Sequence, residues 1–391
     1  MSALPGNASR HVVVVGSGQL ARSLCDSLAS THTPQRVRVT VLARDLTAAA
    51  GAARGAQVRA TVAGTGVSFT ARPFTAEPST DPGDWYAADA GSMARLRPDV
   101  LVCAASAQSP YERVHAPSAW TELVATAGFG VTLALQAELV SRLAAALAGG
   151  APDALLVNGC FPDAVNPLLA ALKLPVLCGI GNVATLAGCL DAALGRPGPT
   201  RLAVLGHHAH LAAPGPDSTG DDTAEVRAWL DGRPVPDVTG LLAGYRALPR
   251  PELNALAGHA AAGLVAGLVA DAGEVVASLP GPLGLPGGYP VRLSDGRAEL
   301  RLPPGVSAAQ AVAWNTAAGH RDGVEVGDGD VRYPERARAA LSAYLPELAD
   351  GWRVAELPAV FARFIALRDQ LRTVSPAPAQ APRVLEESRC P

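Results

Sequence analysis

Residues 11–15 read HVVVV, an unbroken apolar run that stops at Gly16, the pattern of a strand buried on both faces of a parallel sheet. From Gln19 to Ala29 the period changes. Leu20, Leu24 and Leu28 recur at a spacing of four, which predicts a helix. Residues 37–43 (VRVTVLA), 99–105 (DVLVCAA) and 154–158 (ALLVN) repeat the strand pattern. Between the last two, residues 131–147 form an amphipathic helix, with Leu135, Leu139, Leu143 and Leu147 on one side and a Glu138–Arg142 pair on the other. Strand alternating with helix over the first ~150 residues predicts a doubly wound parallel (Rossmann) sheet of the α/β class.

The second half has a different texture. Residues 201–205 (RLAVL) make a strand that runs into Gly206-His207-His208-Ala209-His210. Residues 213–250 are rich in Pro, Gly and Asp, with a short helix expected at 224–230. The longest helix is expected at 251–271. Its back face carries Ala255, Gly258, His259, Ala262 and Ala266, small rather than charged, which predicts burial on both sides and a homo-oligomer, a dimer, whose twofold partner covers that face. Strands follow at 274–279, 289–293 and 298–302, and helices at 307–318, 334–345 and 357–371. The expected division is a dinucleotide-binding domain over 1–160, a second α+β domain for substrate and oligomer contacts over 161–374, and a disordered tail over 375–391.

Composition narrows the function classes. Of 391 residues, 49% are hydrophobic and 17% charged, with a net charge of −3, which excludes a wholly disordered chain and argues against a nucleic-acid surface. No run reaches the ~18 apolar residues of a membrane span. The N-terminus lacks the basic-then-apolar layout of a signal peptide. The six cysteines show no metal-ligand spacing. Five lie in apolar contexts and read as reduced thiols of a cytoplasmic protein, with Cys390 on the tail. Cys103 and Cys160 at strand ends read as small apolar filling rather than nucleophiles.

Gly16-Ser17-Gly18-Gln19-Leu20-Ala21 is a GxGxxA loop between the first strand and its helix. The first glycine permits the tight turn, the second lets the backbone approach a pyrophosphate, and the helix N-terminus faces the phosphates. Ala104, at the end of the 99–105 strand, joins Gly16, Ser17, Gly18, Gln19 and Leu20 as an expected cofactor-binding residue. The second strand ends Ala43-Arg44-Asp45. Arg44 suits the 2′-phosphate of NADP, and NAD stays open with Asp45 as the ribose ligand.

The order and spacing of further segments resemble the lactate/malate dehydrogenase superfamily, which includes the NAD-dependent family 4 glycosidases. AQSPYER after the 99–105 strand resembles the mobile active-site loop, and the resemblance makes Arg113 the residue that polarises a substrate carbonyl when the loop closes. GCFPDAVNPL stands at the Asn-Pro-Val-Asp turn, which puts Asn158 beside the nicotinamide. LPVLCGIGNVATLAG resembles the Gly-x-x-Asn strand and helix, and VLGHHAH stands at Gly-Glu-His-Gly, which makes His208 the acid/base histidine. GLPGGYPVRL with the strand AELRLP resembles the late strand-loop-helix unit. Two places depart. The family's imidazole-orienting aspartate is replaced by Ala184, and its substrate-carboxylate arginine by Ala187. The cysteine that the glycosidases need beside the asparagine is Gly181 here.

Asn182 or a backbone carbonyl is therefore expected to orient His208. Strand alternation puts His208 and His210 on one face and His207 on the other. A polar patch and a His208–His210 metal pair are the alternatives at this site; no metal is expected. The reading is an oxidoreductase using NADP, with NAD possible, on a small C=O or C=N substrate outside simple 2-hydroxy acids. A redox-cycling lyase or glycosidase and a non-catalytic NAD(P)-binding subunit remain as alternatives.

Overall fold

Val12 to Val15 have at most 1% of their surface exposed, and this strand sits in the middle of the sheet. The computed structural model describes residues 9–75, 86–215, 220–270 and 273–376. Apart from its first two residues, the tail expected to be disordered lies outside the described residues, Cys390 included.

The first half runs β1 (Arg10–Val15), α1 (Gln19–Ala29), β2 (Val37–Ala43), α2 (Leu46–Ala63), β3 (Val67–Thr75), β4 (Tyr86–Ala87), α3 (Ala90–Leu96), β5 (Val100–Cys103), α4 (Glu112–His115), α5 (Ala119–Ala127), α6 (Leu133–Gly150), β6 (Leu155–Asn158), α7 (Pro162–Ala171) and β7 (Cys178–Gly179). Its seven strands are parallel in the order β4-β3-β2-β1-β5-β6-β7. The chain leaves β1 in one direction and returns to its other side at β5. The loops after β1 and β5 thus diverge and leave a crevice at the carboxyl edge, where such sheets bind ligands.

The second half contains α8 (Val183–Ala193), β8 (Leu202–Leu205), β9 (Arg227–Leu230), β10 (Arg233–Pro234), α9 (Val238–Arg246), α10 (Arg250–Leu268), β11 (Val275–Pro280), β12 (Gly288–Ser294), β13 (Arg297–Leu300), α11 (Ala308–Gly319), β14 (Glu325–Gly327), β15 (Asp330–Arg332), α12 (Glu335–Ser342), β16 (Gly351–Arg353) and α13 (Leu357–Arg372). Three antiparallel sheets form, β10-β9-β8, β11-β12-β13 and β14-β15-β16. The expected helix at 224–230 is instead the strand β9, because Arg227 to Leu230 pair with Leu205 to Leu202 of β8. The parallel sheet continues past residue 160 to β7. Residues of α12 and α13 share one apolar core with β1, β5 and α6, so the expected division at 160 does not mark a break in packing.

Two packing contacts position the site. A Cβ on Gly258 would lie 2.4 Å from Ser23 Cβ and 2.6 Å from the Ser23 carbonyl carbon, so α10 lies directly on α1. Of the small residues expected to meet a second copy, Gly258 packs on this chain's own α1 and Ala262 is buried, while Ala255 and His259, with Leu256, stay exposed. The second contact is made by α13. Arg368 Nη1 donates to the Ala107 carbonyl at 2.6 Å, and Arg372 donates to both Glu112 carboxylate oxygens at 2.7 and 2.6 Å. The stretch Phe129–Gly150, including α6, is long and apolar enough to cross a membrane, but it is mostly buried, lying between the sheet and α13.

Candidate active site

The turn after β1 is shaped by close approach. Gly16 has φ +127°, and a Cβ there would stand 2.7 Å from the Ala104 carbonyl oxygen, so only glycine lets the turn rest on the end of β5. Gly18 begins α1 with no side-chain cap, and a Cβ there would meet nothing within 4 Å. The first N–H groups of α1 thus face open space beside Ser17 and Gln19, an arrangement that fits a pyrophosphate. Leu20 reaches the other side, 3.1 Å from a Cβ position on Gly159 just past β6. At the far end Arg44 is exposed. Asp45 caps α2, its Oδ1 accepting from the Ala48 N–H at 2.9 Å.

Strand β8 ends at Leu205, and Gly206 bridges to Gly288. The chain then tightens into a 3-10 turn over His208–Leu211. Strand alternation therefore does not govern the three histidines, and His208 and His210 do not share a face. His210 is fully buried on Trp314, with ring centroids 5.2 Å apart; its Nδ1 accepts from the His207 N–H at 2.8 Å and its Nε2 donates to the Thr223 carbonyl at 2.8 Å. Both nitrogens are engaged, so the expected alternative of a His208–His210 metal pair is not available.

His208 keeps 26% of its side chain exposed. Its ring lies between Phe129, stacked at 5.2 Å, and Phe161, edge-on at 5.2 Å. Nδ1 lies 2.9 Å from Asp322 Oδ1, and the backbone N–H donates to Asp163 Oδ1 at 3.0 Å. Asn182 donates to the other oxygen of Asp163. His207, buried, places its own Nδ1 3.0 Å from Asp322 Oδ2. One buried carboxylate is thus held between two imidazoles. Because Nδ1 of His208 faces a carboxylate, it carries the proton there and leaves Nε2 for another partner. The expected orienting groups, Asn182 or a carbonyl, are corrected to Asp322: Asn182 acts one step back, on Asp163. Phe161 and Asn182 both adopt positive φ (45° and 43°), conformations of order 1–3 kcal/mol each that gather at functional sites.

Burial pushes the His208 pKa down, but the carboxylates of Asp322 and Asp163 outweigh it and the net shift is upward. Burial also works against the Asp322 charge, yet the two imidazoles hold that carboxyl far below the usual carboxylate range. His210 moves the other way, down to about 4, because burial disfavours its charge. Its unfolded form takes a proton below the ordinary value of 6.5, which the folded form refuses until about 4, so stability is lost as pH falls through that window. Between pH 7 and 4 the protein should lose about 3 kcal/mol more than His210→Gln does, read from urea midpoints. Equal losses would show that His210 is not held neutral.

No family model matches the chain, and no curated protein matches it. Among solved structures, a lactate dehydrogenase from a Medee basin deep-sea metagenome library aligns with a TM-score of 0.50 at 14% identity, over 80% of this chain and 96% of its own. The malate dehydrogenase of Salinibacter ruber gives 0.48 at 15% identity, over 92% and 99%. The lactate dehydrogenase of Eimeria maxima, solved with NADH and oxamate, gives 0.46 at 13%, over 81% and 93%. The chain has the lactate/malate dehydrogenase fold.

Within this lactate/malate dehydrogenase fold, the expected site residues separate. Asn158 is fully buried. Its Nδ2 donates to the Cys160 carbonyl at 3.1 Å and Asn166 Oδ1 at 2.8 Å, and its Oδ1 accepts from the Cys160 N–H at 2.8 Å. It thereby fixes the turn that presents Phe161. Arg113 has 63% of its side chain exposed and lies 3.5 Å from Glu122. Its segment, expected to be a mobile loop, is fastened by α13 and by Gln108, which donates to Glu112 and accepts from Trp120 Nε1, both at 3.0 Å. Cys103 and Cys160 are buried, both directed at the Ala105 carbonyl.

Sequence reading missed Asp322, Asp163, Phe129 and Arg250. Asp163 alone left a signal, in the FPDAVNP turn next to Asn158. Arg250 opens α10, one helical turn before Asn254, whose Nδ2 donates to Gln19 Oε1 at 2.9 Å. Its charge reaches both His208 and Tyr111.

Proposed function

We propose that the protein is a nicotinamide-dependent oxidoreductase, preferring NADP, that acts on a small substrate bearing C=O or C=N, with His208 as the proton donor. The observation that carries this reading is the partly exposed His208 imidazole, fixed at Nδ1 by a buried carboxylate in a chain with the lactate/malate dehydrogenase fold. When bound, the nicotinamide supplies or takes the hydride. Gly16, Ser17, Gly18, Gln19, Leu20 and Ala104 would hold the pyrophosphate turn, and Arg44 would meet the ribose end. The raised pKa of His208 favours its charged form, which can give its Nε2 proton to a developing alkoxide and suits the reductive direction. Asp322 holds the ring in one tautomer before and after that transfer. Phe129 and Phe161 keep water from two sides of the ring.

The test is a screen of carbonyl and imine compounds with NADPH and NADH, followed at the nicotinamide absorbance band. His208→Gln should cut turnover by ~10²–10⁴-fold and leave cofactor affinity, from nicotinamide fluorescence, nearly unchanged. Near-wild-type turnover in that variant from pH 6 to 9 would remove the proton-donor role and favour an iminium substrate that arrives protonated. Product formation without net absorbance change would replace the reading with redox cycling.

A further inference from the structure

Arg22 lies one turn into α1, beside the glycine loop but outside its motif. Its Nε donates to the Ser17 carbonyl at 3.0 Å and its Nη2 to the Ala48 carbonyl at 3.4 Å. One carbonyl belongs to the glycine loop and the other to the first turn of α2. The guanidinium therefore bridges the gap between the loop and the helix that follows β2. Two of its five N–H groups are engaged there, which leaves three for another acceptor. Arg44 stands at the same edge, where β2 gives way to α2, and is exposed.

The acids of this corner are committed elsewhere. Asp45 caps α2 through the Ala48 N–H at 2.9 Å, and Asp26 pairs with Arg59 at 3.0 Å. Among the described residues, no carboxylate is paired with Arg22 or Arg44. A ribose diol asks for an acidic acceptor at this place, and a phosphate monoester asks for guanidinium donors with no acid facing them. The brace on Ser17 and Ala48 also fixes the Arg22 plane in advance, so little side-chain freedom is lost when an anion arrives.

We infer that Arg22, together with Arg44, clamps the adenosine 2′-phosphate of the dinucleotide and that Arg22 sets the preference for NADP over NAD. This rests on the dinucleotide reading proposed above. The experiment separates the two by titrating the intact protein calorimetrically with adenosine 2′,5′-bisphosphate and with 5′-AMP. The wild type should bind the bisphosphate at least ~10-fold more tightly than 5′-AMP, and the difference should shrink as salt is raised. Arg22→Gln should weaken bisphosphate binding ~10–100-fold and leave 5′-AMP within about twofold, and Arg22→Lys should recover part of the loss. Equal weakening of both ligands in Arg22→Gln would show that the side chain only braces the loop, and it would overturn the clamp while leaving the dinucleotide site standing. Failure of the wild type to bind either ligand would overturn the dinucleotide reading and the clamp with it.

Discussion

Asp322→Asn should lower turnover by about 10²–10⁴-fold and bring the His208 pKa down, although Asp322 does not touch the open side of the imidazole. Its Oδ1 lies 2.9 Å from His208 Nδ1, and its Oδ2 lies 3.0 Å from His207 Nδ1, a nitrogen that accepts from the Ala209 N–H at 3.4 Å. An amide has one acceptor and one donor end. With its oxygen toward His208 it turns its NH2 toward His207, and it brings no charge to either ring. Charged His208 also loses its counter-charge.

Imidazole NMR titration reads this without a substrate, and the pH–rate limb assigned to His208 should move to lower pH with it. The linkage has a definite sign. The raised His208 pKa gives stability that is present below the ordinary value of 6.5 and is lost as pH rises through the folded value. The depressed Asp322 pKa gives stability that is present above 3.8 and is lost as pH falls toward the folded value. In Asp322→Asn the Asp322 dependence should vanish and the His208 dependence should lose the Asp322 contribution. An unchanged His208 titration together with unchanged turnover would show that the pair is only a packing contact.

The largest stability loss is expected at Glu225→Ala. Arg246 has only 6% of its side chain exposed and donates to both Glu225 oxygens, at 2.7 and 2.6 Å, and to the His210 carbonyl at 2.8 Å. Thr239 Oγ1 donates to the same carboxylate at 2.9 Å. Removing the acid leaves a buried guanidinium without its counter-charge, which costs roughly 3–5 kcal/mol. Replacing both residues at once, as Glu225→Gln with Arg246→Met, should cost less than the single change, because no orphaned charge remains. Since Arg246 also holds the His210 carbonyl, amide exchange should quicken across the 208–211 turn. A loss below about 1 kcal/mol in denaturant titration would place this pair with ordinary surface bridges.

The parallel sheet was legible because its central strands are buried on both faces and read as plain apolar runs, as at 11–15. The glycine loop was legible because its conformation admits few residues: Gly16 rests on the Ala104 carbonyl. The partner of His208 was not legible. Asp322 lies 114 residues away in a short polar turn, GHRDG, that carries no periodicity and resembles any loop. The histidine geometry was misread for a different reason. A period of two holds only while the strand lasts, and β8 stops at Leu205. On α10, Gly258 packs on this chain's own α1, a neighbour that a sequence does not name. For β9, a short mixed segment gave no helical period, and pairing with β8 decided its form.

The fastening of the segment around Ala107 and Glu112 by Arg368 and Arg372 bears on the order in which the molecule is built. The strands of the crevice and the whole glycine loop leave the ribosome first, but the arginines that secure its rim arrive with α13, at the very end of the described chain. A nascent polypeptide stalled before residue 357 holds every strand of the parallel sheet and none of the clasp. The segment around Ala107 and Glu112 is thereby secured only once Arg368 and Arg372 have been made, and a chain cut before them carries a crevice with an unsecured rim.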